Sequence, residues 1–261
     1  MRDITLGQYY PAQSAIHSLD PRTKLLGTIV YIVSLFVASG IHSYLIATAM
    51  LALVIVLSHV PFKFLTRGLK AIVIILIISV SFNIFLTDGT PIFKIGPLKA
   101  TWEGLRIAAF MGIRLIFLVM GSSILTLTTT PNQLTDGLER GLKILNKIKV
   151  PVHEIAMMMS IALRFIPILS EETDKIMKAQ MARGADFETG GLIKKAKAMI
   201  PLLVPLFISA FRRASDLAMA MEARCYHGGE DRTKFKPLKF ARRDYVALAV
   251  LLIYLVVVIV L

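Results

Sequence analysis

The chain has one cysteine, Cys225, among its 261 residues. No disulfide can therefore form within it, and no cysteine cluster can hold a metal. Its five histidines, His17, His42, His59, His153 and His227, never fall in an H-x-x-x-H spacing, so a two-histidine metal site on one helix is not expected. The phosphate-cradling pattern G-x-x-x-x-G-K-[ST] is absent. The nearest glycine-rich stretch, "RGADFETGG", lacks the Lys-Ser or Lys-Thr that would follow it, which argues against ATP hydrolysis by this chain. A lipid head-group transferase usually needs clustered acidic residues to hold metal and phosphate, whereas "TDGLERG" has no further Asp pair in an appropriate frame. The N-terminal "MRDITLGQYYPAQSAIHSLDPRTKLL" has no short apolar run ending in a small-residue cleavage site, so no cleavable signal peptide is expected.

Apolar surface, in contrast, is abundant. Hydrophobic residues make up 56% of the chain and mean hydropathy is +0.69, against about 45–50% apolar residues in soluble domains. The bilayer is the expected solvent. Apolar runs at Leu25–Ser39, Tyr44–Val60, Ala71–Leu86, Leu105–Thr128 and Tyr245–Leu261 predict five spans. The net charge of +13 is unevenly placed: 20 of the 30 Lys and Arg lie between Pro131 and Arg243, and Lys63, Arg67 and Lys70 follow the second span. The "GIHS" loop after the first span has none. Positive residues accumulate on the cytoplasmic side, which puts the N-terminus, the 61–70 loop and the 131–243 block there and the C-terminus outside. A basic face of this kind is the ordinary membrane pattern and does not call for nucleic acid. The segment "TDGTPIFKIGPLKATWEG" is turn-rich and weakly charged, as an external loop should be.

Two further apolar stretches, "IAMMMSIALRFIPIL" (155–169) and "MIPLLVPLFISAF" (199–211), are short for crossing and contain prolines, the first also Arg164. They predict a membrane-adjacent helical domain, with a seven-span chain as the alternative. Its first helix has a T-x-x-Q capping box at Thr130 and Gln133 with Pro131 at the first turn, and an apolar stripe Leu134, Leu138, Leu142, Leu145 and Ile148. Its second runs from Val152 to Arg183 and its third from Leu192 to about Arg224. "KAQMARGADF" (178–187) and "AMAMEARCYH" (218–227) close these two helices with the same Ala-Arg, forty-one residues apart. The same shift sets Glu171 and Glu172 on Arg212 and Arg213, so the pair reads as a degenerate repeat with opposite charges at equivalent positions. An arginine near a helix C-terminus favours the dipole, and Gly184 suits the left-handed stop. Capping alone does not require the same arginine twice; two similar plugs for two similar sockets do. Eight of the twelve methionines lie between Met157 and Met221, fitting either core filling or an adaptable interface. Arg114, inside the fourth span, is a candidate functional cation or a snorkelling one. Asp20 and Pro21 read as a helix start.

Through "LDPRTKLL" (19–26), "RFIPILSEETDKIMKAQMARG" (164–184) and "FRRASDLAMAMEARCY" (211–226), the chain resembles the transmembrane T component of energy-coupling factor transporters. The resemblance extends over the full length, and the three motifs together are specific. It implies an all-α integral membrane protein with about five transmembrane helices plus a cytoplasmic domain of long coupling helices. Residues 1–128 would form a membrane domain with four spans, 129–243 the coupling-helix domain and 244–261 the final span, in a prokaryotic cell membrane. It further implies a non-enzymatic subunit without cofactor. Ala182, Arg183 and Gly184, and then Ala223, Arg224 and Cys225, would dock into grooves of two ATP-binding-cassette ATPases, identical or paralogous. A membrane S component would capture a vitamin or transition metal ion. Cys225 stands where the family usually has glycine. A secondary carrier or a membrane-embedded lipid-modifying enzyme is the alternative.

Overall fold

The computed structural model describes residues 9–38, 40–95, 98–187, 191–229 and 237–260. The chain divides into two compact units, Gly7–Gly137 with Leu238–Leu261, and Leu138–Pro237. Most of the "ETGG" linker and the last residue of the predicted C-terminal span lie outside the described residues.

In the first unit, α1 (Pro21–Val37), α2 (Ile41–Ser58), α3 (Phe62–Leu86), α4 (Trp102–Thr128) and α8 (Arg242–Val260) surround a core of Tyr31, Leu35, Tyr44, Leu51, Leu65, Met120, Ile124, Leu127, Tyr254 and Val258. Large apolar side chains such as Ile29, Phe36, Ile74, Ile75 and Leu252 remain exposed around it, which suits helices whose outer solvent is lipid. Gly121 allows α4 to approach α1, because a Cβ there would lie 2.8 Å from the Tyr31 ring.

The start of α1 follows its sequence. Asp20 Oδ1 accepts from the Arg22 amide at 2.9 Å, and Pro21 opens the helix. Ahead of it, the His17 ring donates from Nε2 to the Tyr10 carbonyl (3.0 Å) and sits 2.7 Å by Nδ1 from Ser14 Oγ. Burial lowers the pKa of this ring, in keeping with a neutral imidazole that takes the Ser14 hydroxyl as donor.

The predicted external loop contains an antiparallel hairpin, β1 (Pro91–Ile95) and β2 (Leu98–Thr101). It is the only extended structure among the described residues, and the fold is that of an all-α membrane protein.

Among the described residues, five helices are long and apolar enough to cross a membrane: Ile41–Ser58, Trp102–Thr128, Val152–Ala182, Lys195–Glu222 and Arg242–Val260. A pair bent by 61°, Phe62–Lys70 and Ile72–Leu86, would make six if counted as one span. The number matches the expected five, but the membership differs. At 17 residues α1 is shorter than these, though within the range of about 17–25 that spans use. The two helices expected to stay off the bilayer core pass on length and composition, because only their apolar portions are needed to do so. Elsewhere they carry Glu171, Glu172, Asp174 and Lys175, or Arg212, Arg213 and Asp216.

The second unit holds α6 (Val152–Ala182) and α7 (Leu192–Glu222), preceded by α5 (Pro131–Gly141) and a 3₁₀ turn over Leu142–Ile148. The predicted capping box is present: the Gln133 amide donates to Thr130 Oγ1 (3.3 Å) and the Thr130 amide to Gln133 Oε1 (3.1 Å). The single amphipathic helix expected through Ile148 instead tightens at Gly141, a poor helix former. Lys149, at φ 63°, then closes it ahead of Pro151.

Candidate functional site

The ends of α6 and α7 have the same hydrogen-bond closure. At the first, the Gly184 amide donates to Met181 O (2.9 Å) and the Ala185 amide to Gln180 O (3.0 Å). At the second, the Cys225 amide donates to Glu222 O (2.8 Å) and the Tyr226 amide to Met221 O (3.0 Å). Both are Schellman closures, in which the residue after the cap must turn left-handed to aim two amides back at the last carbonyls. Gly184 does so at φ 90° and Cys225 at φ 54°. The cysteine that replaces glycine therefore keeps the geometry of the turn.

The left-handed region costs a residue with a Cβ roughly 1–2 kcal/mol. Cys225→Gly is accordingly expected to tighten the second tip, and Gly184→Ala to loosen the first by about 1 kcal/mol. Amide hydrogen exchange over 178–187 and 218–227 checks this, with slower exchange expected in the first variant and faster in the second. Unchanged exchange in both would show that the left-handed residue does not limit either tip.

Ala182, Arg183, Gly184, Ala223, Arg224 and Cys225 are all exposed. Neither arginine makes a hydrogen bond or ion pair through its side chain among the described residues, so both guanidinium groups are available. The helices that carry them run antiparallel. Arg213 Nη2 donates to Glu172 Oε2 at 3.0 Å, so one of the two charge pairs matched by the forty-one-residue shift meets. Gln180 Nε2 donates to the Pro201 carbonyl at 3.2 Å. That carbonyl would normally bond the amide four residues on, but residue 205 is proline and has no N–H to give.

Nearer the start of α6, Ile161, Phe165 and Leu169 face Ala214, Leu217 and Met221 across a groove of about 280 Å³. The two arginine tips thus lie at opposite ends of the helix pair, on the order of 40 Å apart at 1.5 Å per residue. The sequence reading missed how the second tip is held. His153 donates from Nδ1 to Glu139 Oε1 (2.9 Å), and Gly229 packs so closely on its ring that a Cβ would lie 2.3 Å from Cδ2. The Gly228-Gly229 pair just past the tip was the available signal.

Residues 12–235 match the CbiQ family model, described as cobalt transport protein. The chain belongs to this family. It is 55% identical over 249 residues to the energy-coupling factor transporter transmembrane protein EcfT of Clostridium kluyveri, which covers 95% of this chain and 92% of that protein. It is 54% identical to the protein of the same name from Thermosediminibacter oceani, over 95% and 93% of the two chains. The EcfT of Bacillus subtilis is 47% identical over 98% and 99%. Membership covers both tips and makes this a transporter membrane subunit.

Two further features lie in the membrane unit. Arg114 donates from Nε to the Tyr44 hydroxyl (3.0 Å) and from Nη2 to the Ala38 carbonyl (3.3 Å), the cap of α1, so it binds α4 to the α1–α2 corner. The "LDPRTKLL" motif closes a clasp. Asp244 is 1% exposed and accepts from the Asp20 amide (2.7 Å) and the Ala241 amide (2.8 Å). Arg22 lies 4.4 Å over the Phe240 ring, and Lys24 Nζ donates to the carbonyls of His17 (3.0 Å) and Thr128 (2.9 Å).

Proposed function

We propose that this chain is the coupling subunit of an energy-coupling factor uptake transporter. It transmits ATP-driven motion of two ATP-binding-cassette ATPases, through Arg183 and Arg224, to a membrane subunit that captures a vitamin or a transition metal ion. The observation that carries this reading is the duplicated tip: the same closure and the same free, exposed arginine, at opposite ends of one helix pair. One socket would need one tip. Two tips about 40 Å apart suit two separate, similar sockets.

A helix is stiff along its axis, so movement imposed at either tip is carried into the whole pair. The Glu172–Arg213 contact and the Gln180–Pro201 bond tie the two helices together. The charge distribution supports a cytoplasmic position for this unit and for the N-terminus, where ATP is available.

Purification of the full chain from its native membrane in mild detergent, followed by native mass spectrometry, tests the reading. The expected result is a complex containing this chain, two ATPase subunits and a small membrane protein. A chain that retains uptake activity without any ATPase would overturn it in favour of a secondary carrier.

A further inference from the structure

We propose that a cavity beside the first half of α4 holds the headgroup of an anionic phospholipid. The cavity, about 450 Å³, has Tyr44, Glu103, Arg106, Phe110, Met111 and Arg114 in its lining. A headgroup and the first part of its acyl chains need space on this scale.

The lining brings two guanidinium groups together across an aromatic bridge. Arg106 lies 5.9 Å from the Phe110 ring centroid, that ring lies 5.2 Å from the Tyr44 ring, and the Tyr44 hydroxyl accepts from Arg114 at 3.0 Å. Arg114 uses Nε and Nη2 in bonds to Tyr44 and Ala38, and Nη1 has no partner among the described residues. Arg106 has no hydrogen bond or ion pair among them. Glu103 offsets only one of the two, because the Thr90 amide (2.8 Å) and hydroxyl (3.0 Å) hold its carboxylate ionised, and the lining keeps one net positive charge.

α4 is among the helices long and apolar enough to span, and Arg106 lies about one turn inside it. A cation at that depth is costly unless an anion accompanies it. Guanidinium forks match phosphate oxygens in pairs, so two guanidinium groups in one cavity suit a phosphate. Phe36, Ile107 and Met111, all exposed close by, give the acyl chains an apolar path. The ligand is thus a phosphodiester carrying one net negative charge and attached to hydrocarbon.

The chain's only tryptophan, Trp102, lies one turn before Arg106 and is 63% exposed, so it reports on lipid at this place. The full chain is reconstituted in phosphatidylcholine vesicles containing a small, equal fraction of either phosphatidylglycerol or phosphatidylcholine brominated on acyl carbons near the glycerol. Brominated phosphatidylglycerol is expected to quench Trp102 as if locally enriched about fivefold. Arg106→Gln should bring the two lipids to parity with little change in thermal stability, because Arg106 is exposed and makes no hydrogen bond or ion pair among the described residues. Equal quenching in the unmodified protein, or a preference that survives Arg106→Gln, would overturn the proposal. Displacement of the brominated lipid by millimolar inorganic phosphate would assign the cavity to a small phosphate instead. Disappearance of the preference in the assembled transporter would assign it to an acidic group of a partner subunit.

Discussion

A chain carrying both Arg183→Ala and Arg224→Ala is expected to lose ATP-driven uptake almost completely while remaining folded in the membrane. Each arginine brings a forked donor to its socket, and charge-assisted hydrogen bonds of this kind contribute about 1.5–3 kcal/mol. Removing one weakens docking at that tip by a factor of about 10 to 100. Removing both disconnects the helix pair from the ATPases. The exposed positions, with no side-chain hydrogen bond or ion pair among the described residues, predict that neither substitution changes thermal stability in detergent. Uptake by proteoliposomes of the purified complex, with ATPase co-purification measured alongside, separates a docking loss from a folding loss. Arg→Lys at both sites should restore only part of the activity, since an ammonium lacks the planar fork. Normal uptake by a well-expressed double alanine variant would end the docking interpretation.

Asp244→Ala should act on stability instead. The carboxylate is 1% exposed and accepts two backbone amides, those of Asp20 and Ala241, with Arg22 and Lys24 nearby on α1. Its removal leaves two amides without an acceptor and takes from Lys24 one of its two carboxylate neighbours, while Arg22 keeps its pair with Asp20 (3.2 Å). Breaking a buried charged contact in this way costs about 3–5 kcal/mol, a large share of a typical folding free energy of 5–15 kcal/mol. Thermal scanning in detergent should show a clear fall in midpoint, with α8 becoming accessible to protease before the rest of the bundle. Asp244→Asn should be nearly as damaging, because an amide nitrogen would face a backbone donor. A midpoint equal to that of an exposed control such as Glu222→Ala would show that the clasp does not hold α8.

Several features depended only on neighbours in the chain and could be read directly. The capping box at Thr130 and Gln133, the start of α1 at Asp20 and Pro21, and the limits of α6 and α7 all rest on interactions within a few residues. The Ala-Arg repeat was equally visible, and so was the charge match between Glu172 and Arg213. Equivalent residues of an antiparallel repeat meet where the two helices cross, and this pair sits there.

Other features needed the folded chain. The partner of the Asp20 amide is 224 residues away, and nothing in "LDPRTKLL" points to an aspartate at the start of α8. Arg114 read equally well as a functional or a snorkelling cation until packing placed the Tyr44 hydroxyl and the Ala38 carbonyl against it. At the second tip, the sequence showed only that glycine was missing. That Cys225 nonetheless turns left-handed, at φ 54°, came from the backbone bonds that close α7, which offset the cost of its Cβ.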